Sequence, residues 1–514
     1  MRKGTRRLSA VAGALCAAWF GVMADSALAQ SEIIDELLDK LKDKGVLSDD
    51  EYQGLKKARE EERLEQRAER RRQALKSAQE AEKEEKSKQT AATATKFDVN
   101  PGIRSMQLFG DVRLRYESRT ASSSFAIPGT GGAFDLTSDR WRYAARIGVR
   151  GDLTDDWFYG LRLDTSTNPR SSWVTFGNNS NAAAGGTAPY GKGGDGIQIG
   201  QVYVGWRALP WLTLQAGKMP NPFFTTPMVW DPDINPEGAA ERINYAVNDH
   251  LTLFGNFGQY VYQQFSPNDN SGGVGFASHD GYMFAWQGGA SYKFDEKISA
   301  RAAVSFYNYA GFSRNSAFNT VGNGFQGPFA RGAQNQTVAG NLAFHNGING
   351  LRYLEFPVEV NFPIGPLSAR GFGDLAYNIA ASQRAAQGSY ASLGDEALAY
   401  QAGFAVGTNL GLSTNQVAAK KNTWEARVYW QQTELNSVDP NLTDSDFFEG
   451  RTNLQGLFLA FAYAPTDSII GTVRFGGAHR LNANGPTPGS NPDIPGVQPI
   501  TQYKLLQFDL TWKF

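Results

Sequence analysis

Cysteine is almost missing from this chain. One residue in 514, Cys16, is of that type, and it lies in the leader described below. The rest of the chain can therefore form no disulfide framework and no thiolate metal site, and it loses nothing in an oxidising compartment. Histidine is nearly as scarce: His250, His279, His345 and His479 are the only four. None stands at a spacing that a metal site or a catalytic triad requires, and the patterns HExxH, GxSxG and CxxC do not occur. No metal, no cofactor and no enzymatic activity is expected. The formal charge of -1 offers no footprint for nucleic acid. Beyond the first two dozen residues there is no long apolar run, so no helix is expected to cross a membrane. Strands are not excluded by that. A barrel strand turns one face to lipid and one to water, so a chain of such strands reads as soluble, as the mean hydropathy of -0.41 does here.

What is present comes in three blocks. Arg2, Lys3, Arg6 and Arg7 precede an uncharged, mostly apolar stretch over 10–24, and Ala27-Leu28-Ala29 is a small-x-small site before Gln30. All three parts match a secretory signal peptide over 1–29. The second block, 30–96, is half charged. Ile33, Ile34, Leu37, Leu38 and Leu41 recur at helical spacing until Gly45, and Ser48-Asp49-Asp50-Glu51 has the form of a capping box. The pattern predicts a short helix, a turn and a long helix from about Asp49 to Lys88. Leu55, Leu64 and Leu75 are too far apart for a heptad seam. The arm is either a weak coiled coil that spaces or trimerises the protein, or a solvated helix laced with i, i+4 ion pairs.

From 97 to 514 the period changes to two. Arg113, Arg115 and Glu117 alternate with Val112, Leu114 and Tyr116; Arg142, Arg146 and Arg150 with Trp141, Tyr143, Ile147 and Val149; Glu355 and Glu359 with Leu354, Phe356, Val358 and Val360. Such alternation predicts strands with one greasy and one wet face. Sixteen segments begin near 106, 140, 157, 197, 211, 239, 251, 282, 297, 353, 367, 398, 423, 456, 469 and 503. Long connections follow every odd segment and short ones every even segment, apart from a longer one near 410–422. An even strand count with short turns on one rim and long loops on the other is the pattern of an outer-membrane barrel. Trp157, Trp206, Trp211, Trp286, Trp430 and Trp512 are candidates for an interfacial girdle. The fold class is therefore all-β: a 16-stranded antiparallel transmembrane β-barrel preceded by a helical arm. Both termini fall on the short-turn, periplasmic rim.

The last strand ends on Phe514, with Phe508, Leu510, Trp512 and Phe514 on its greasy face. It has the look of a closing strand that carries the signal for the barrel-insertion machinery. It is expected to pair with 106–117, so that Gln507, Asp509, Thr511 and Lys513 stand beside Asp111, Arg113 and Arg115.

The stretch 110–237 resembles the "putative porin" family of Gram-negative outer-membrane proteins. The residues that carry the likeness are Arg113-Leu114-Arg115, the run from Arg142 to Arg150, Gly160 to Leu163 and Gln201 to Arg207. They continue in 214–224 (LQAGKMPNPFF) and 229–238 (VWDPDINPEG). The resemblance implies a sixteen-stranded porin in the outer-membrane lipid that passes small hydrophilic solutes and ions, and by family analogy a homotrimer. By analogy with general porins, the third long loop folds inward and carries Asp231, Asp233 and Glu237 into a constriction. Facing it, a ladder of Arg113, Arg115, Arg142, Arg146, Arg150, Arg162 and Arg207, joined by Arg427 and Arg474, is expected to line the pore. Some of these arginines could instead pair with Asp111, Glu117 or Asp164 and brace the wall. The alternative function is an outer-membrane structural or adhesin protein that binds a partner through its outer loops and the cell wall through 31–90.

Overall fold

The computed structural model describes residues 40, 42–45, 48–57, 100–123, 134–166, 171–177, 196–263, 281–310, 350–387, 391–489 and 499–514. Contacts divide the chain into two units, 1–99 and 100–514. In the first, 49–57 is helical and opens with the capping box expected there. Ser48 Oγ accepts from the Glu51 N–H at 3.4 Å, and Glu51 Oε2 accepts from the Ser48 N–H at 3.0 Å. Gly45, at φ +68°, makes the turn before it. The leader and the remainder of the long helix lie outside the described residues.

The second unit is a ring of strands. In chain order they are β1 (Gln107–Ser123), β2 (Phe134–Asp152), β3 (Trp157–Thr165), β4 (Ile197–Leu209), β5 (Leu212–Lys218), β6 (Glu237–Ala246), β7 (Leu251–Gln263), β8 (Gly281–Lys293), β9 (Ser299–Ala310), β10 (Arg352–Glu355 and Val358–Ile364), β11 (Leu367–Asn378), β12 (Leu398–Gly407), β13 (Thr423–Thr433), β14 (Leu454–Ala464), β15 (Ile469–Arg480) and β16 (Gln502–Lys513). A two-residue strand, Val174–Thr175, continues the line of β3 against β2. Proline 357 has no N–H to give the ladder and splits β10, yet the alternation of faces runs through the break. Each strand pairs antiparallel with its sequence neighbours, and β16 pairs with β1. The ring is closed, with sixteen strands as the alternation predicts, and no edge is left for another chain to pair with.

The seam has the register expected of it: Asp111 faces Lys513, Arg113 faces Thr511, and Arg115 faces Asp509. Phe514 continues past the strand and exchanges backbone hydrogen bonds with Gly110 at 3.0 and 3.1 Å. Its ring lies where a Cβ on Gly110 would stand.

The two faces of the wall differ as the alternation requires. Outward residues such as Leu114, Trp141, Ile147, Leu161, Trp286, Phe461 and Leu510 are large, apolar and exposed. A continuous apolar belt of this kind is stable against lipid and not against water. The outward stack Phe257–Trp286–Phe306, with centroids 5.3 and 5.7 Å apart, puts Trp286 mid-strand and so outside the expected girdle. Glu241 interrupts the belt: it alternates with inward Ala240 and Arg242 and accepts from Gln259 Nε2 at 3.1 Å. The inward positions carry the charge, and the buried apolar clusters lie inside the ring, where loops pack on the wall.

Candidate functional site

The loop from Met219 to Pro236, called L3 here, leaves the wall between two glycines that face each other in register. Gly217 and Gly238 have φ of +122° and +151°, and a Cβ on either would strike a carbonyl of the next strand. Only glycine tolerates both the dihedral and the approach. From there L3 turns into the lumen. Met219, Phe223, Met228, Val229 and Trp230 are buried against Tyr260, Met283, Tyr307 and Tyr353 of the adjoining wall, β7 to β10. Burial of each large side chain is worth about 1.5–3 kcal/mol, so the loop is held and not merely draped. Its threonines reach a carboxyl pair on adjacent strands: Thr226 Oγ1 donates to Asp374 at 2.6 Å and Thr225 Oγ1 to Glu355. Tyr307 also donates to Glu355, at 2.8 Å.

A second long loop, 434–453 (L7), also folds inward. Its residues Val438, Asp439, Leu442, Phe447, Phe448 and Glu449 are buried. Phe448, Glu449 and Asn453 all have positive φ, which non-glycine residues hold only where packing dictates it. L3 and L7 clasp each other in the lumen. The Asp231 N–H donates to Leu442 O at 2.6 Å, the Asp444 N–H to Pro227 O at 2.9 Å, and the Ser445 N–H to Asp231 Oδ2 at 3.3 Å. Burial, with Asp231 and Asp446 close by, pushes the Asp444 carboxyl well above the usual range. Burial opposes ionisation of Asp446 as well, but Arg115, Arg119 and Arg474 outweigh it and hold that carboxyl far below the usual range.

The expected arginine ladder divides into three. Arg113, Arg115, Arg142, Arg146, Arg162 and Arg474 point inward and are engaged by acids. Arg113 Nε lies 2.7 Å from Asp111, Arg142 Nη1 3.2 Å from Glu117, and Arg162 Nε 2.7 Å from Asp164. Arg146 bridges Asp111 at 2.9 Å and Asp233 of L3 at 3.0 Å. Arg115 is the hub: its Nε meets Asp509 at 2.7 Å and its Nη1 meets Asp446 of L7 at 2.7 Å, with the Trp173 ring 4.1 Å away. Arg474 also pairs with Asp509. Arg427 makes only a long contact with Glu425, 3.5 Å, beside the Phe372 ring. Arg150 and Arg207 belong to the short-turn rim, where they meet Gln107 and Asp152 at 3.1 and 2.8 Å and stay exposed.

The three acids assigned to the loop divide as well. Asp231 is buried in the L3–L7 clasp and Asp233 meets Arg146. Glu237 instead begins β6, pairs with Lys218 at 3.1 Å, and keeps 62% of its side chain exposed.

The long connection 408–422 folds inward from the other rim. Gly411 and Ser413 N–H groups donate to Glu425 Oε2 at 3.0 and 2.7 Å, and Lys513 Nζ caps the carbonyls of Asn415 and Val417 at 2.6 and 2.8 Å. That packing accounts for its length. L7 was not anticipated from the sequence. The signal was its own composition: Val438, Leu442, Phe447 and Phe448 are too apolar for a loop that stays in water.

A family model described as "Putative porin" matches residues 101–327 and 366–514. No curated protein sequence matches the chain. Among solved structures, the outer membrane channel DcaP of Acinetobacter baumannii is 12% identical, over 81% of this chain and 99% of that one, with a TM-score of 0.37. OmpF of Salmonella typhi in complex with daunomycin is 10% identical, over 81% and 99%, at 0.40. An anion-selective porin from Comamonas acidovorans is 10% identical, over 80% and 99%, at 0.39. At these scores the family match alone carries the assignment. With the family matched along most of the closed ring, the chain belongs to the putative porin family.

Proposed function

We propose that this porin holds a water-filled path for the passive diffusion of small hydrophilic solutes and ions through the outer membrane, with its helical arm in the periplasm and three copies per assembly. The observation that carries the reading is the inner face. A dry core does not hold this many charged and hydrogen-bonding side chains on one face of sixteen strands, whereas a wet lumen does. In this reading L3 and L7 narrow the path from the loop side. Arg113, Arg146 and Arg162 line it beside L3, while Arg115, Arg142 and Arg474 brace the wall behind L7.

Proteoliposomes test it. Uncharged sugars of increasing size should enter vesicles that hold the refolded full chain at rates that fall steeply with size. A rate that saturates with sugar concentration, or no entry above empty vesicles, contradicts passive diffusion.

A further inference from the structure

We propose that Arg242 and Arg301, the latter roofed by Phe224 of L3, form an anion-binding station that gives the channel an anion preference and takes small carboxylates; the inference rests on the porin reading above.

The paired ladder does not supply such a preference. Its guanidiniums are matched by Asp111, Glu117, Asp164, Asp233, Asp446 and Asp509 within contact distance, so a solute beside it meets little net charge. The wall from β6 to β11 is different. Arg242 is inward and exposed, and Arg301 is inward and half-buried. Among the described residues neither has an ion pair within 4 Å. One carboxylate, Glu359, faces Arg301 in register, but it is shared with Arg370 at 3.6 Å. At the level of Arg301, three guanidiniums therefore face one carboxylate; the inward acids Glu355 and Asp374 of this wall are buried under L3 and engaged by Thr225, Thr226 and Tyr307.

The surroundings suit an anion. The Arg301 guanidinium carbon lies 4.2 Å from the ring of Phe224, which belongs to L3, and 4.4 Å from Phe254. The rings hold the guanidinium flat and steady it without neutralising it. Its Nε is buried and has no hydrogen-bond partner. Arg242 faces Asn256 in register, and Ala240 faces Gly258. The Tyr260 ring folds down over Gly258, with its hydroxyl 2.7 Å from where a Cβ there would stand. That hydroxyl is buried and unpartnered. A hydroxyl donor thus lies beside the row of Arg242, in an environment that strengthens its interaction with an anion. Guanidiniums with spare N–H groups match planar carboxylates better than round ions.

The test uses the refolded full chain in planar bilayers under a potassium chloride gradient, with acetate as the probe. The wild type should prefer chloride, and sodium acetate should reduce the chloride current in a saturable way. The double variant R242Q/R301Q keeps side-chain bulk and should lower the chloride-to-potassium permeability ratio roughly three-fold. Y260F should weaken acetate block and leave that ratio unchanged. R242K/R301K should keep the ratio and lose most of the acetate block, because lysine lacks the planar fork. A cation-preferring wild type overturns the proposal, and so does a double variant with an unaltered reversal potential and normal conductance. A wild type that never conducts removes the porin reading, and this proposal with it.

Discussion

Replacing Arg115 by alanine is expected to destabilise the barrel by about 3 kcal/mol, the lower part of the range for breaking a buried ion pair. The cost does not come from the lost attraction alone. Arg115 is 2% exposed and touches Asp509 on β16 and Asp446 on L7, both at 2.7 Å. Without it, Asp446 keeps a hydrogen bond from Gln507 at 3.1 Å but, of its cations, only the longer contact with Arg119 at 3.5 Å, and Asp509 keeps Arg474. Two carboxylates, Asp509 buried and Asp446 partly shielded, would then share too few cations. The damage falls on the β1–β16 seam and on the attachment of L7 together. Urea unfolding of the refolded protein in detergent, followed by heat-modifiable mobility, reads it directly. The paired replacement R115M/D509L should recover much of the loss, because it removes a charge with its partner. An R115A midpoint equal to wild type would mean that water already solvates these acids, and L7 would not be fixed to the wall as described.

Shortening L3 has the larger expected effect on transport. Lys218 and Glu237 are directly opposite in register at the mouth of the loop, so a short Gly–Ser turn can join β5 to β6 without disturbing the wall. Cutting out 221–235 removes Phe223, Met228, Val229 and Trp230 from the lumen, and with them the partners of Leu442 and Asp444 on L7. The conductance of single channels should rise by about two-fold or more, since current through a pore follows its narrowest section. Permeation of larger sugars should rise further. The barrel should still resist heat, because the closed ring of strands does not depend on L3. Unchanged conductance in a well-folded variant would show that L3 is not the narrow point.

Much of the ring was legible in the sequence, and the reason is geometric. A strand between lipid and water must alternate, so Val112, Leu114 and Tyr116 mark one face and Arg113, Arg115 and Glu117 the other. The long and short connections then set the strand count and the direction of each strand. The pairing of β1 with β16 follows from closure, which is why Asp111 could be placed beside Lys513 in advance. Loops have no such period. Nothing in 219–237 except analogy marked it as inward, and L7 and the 408–422 connection went unread because their apolar residues sit among turn formers. Charge was the least legible part. Alternation tells which arginines face the lumen, but it does not tell which acids meet them. Asp446 and Asp233 come from loops, so those second partners of Arg115 and Arg146 could not be read from the strands, whereas the strand acids Asp509 and Asp111 could. Arg242 and Arg301 are isolated on their strands and draw no notice until those of their neighbours are seen to be paired.

The central claim is that this ring encloses a continuous wet path. Single-channel recording of the refolded full chain in a planar bilayer tests that most directly. The account predicts discrete, ohmic current steps in symmetric potassium chloride, with conductance proportional to salt concentration. A folded, inserted barrel that produces no steps would contradict it.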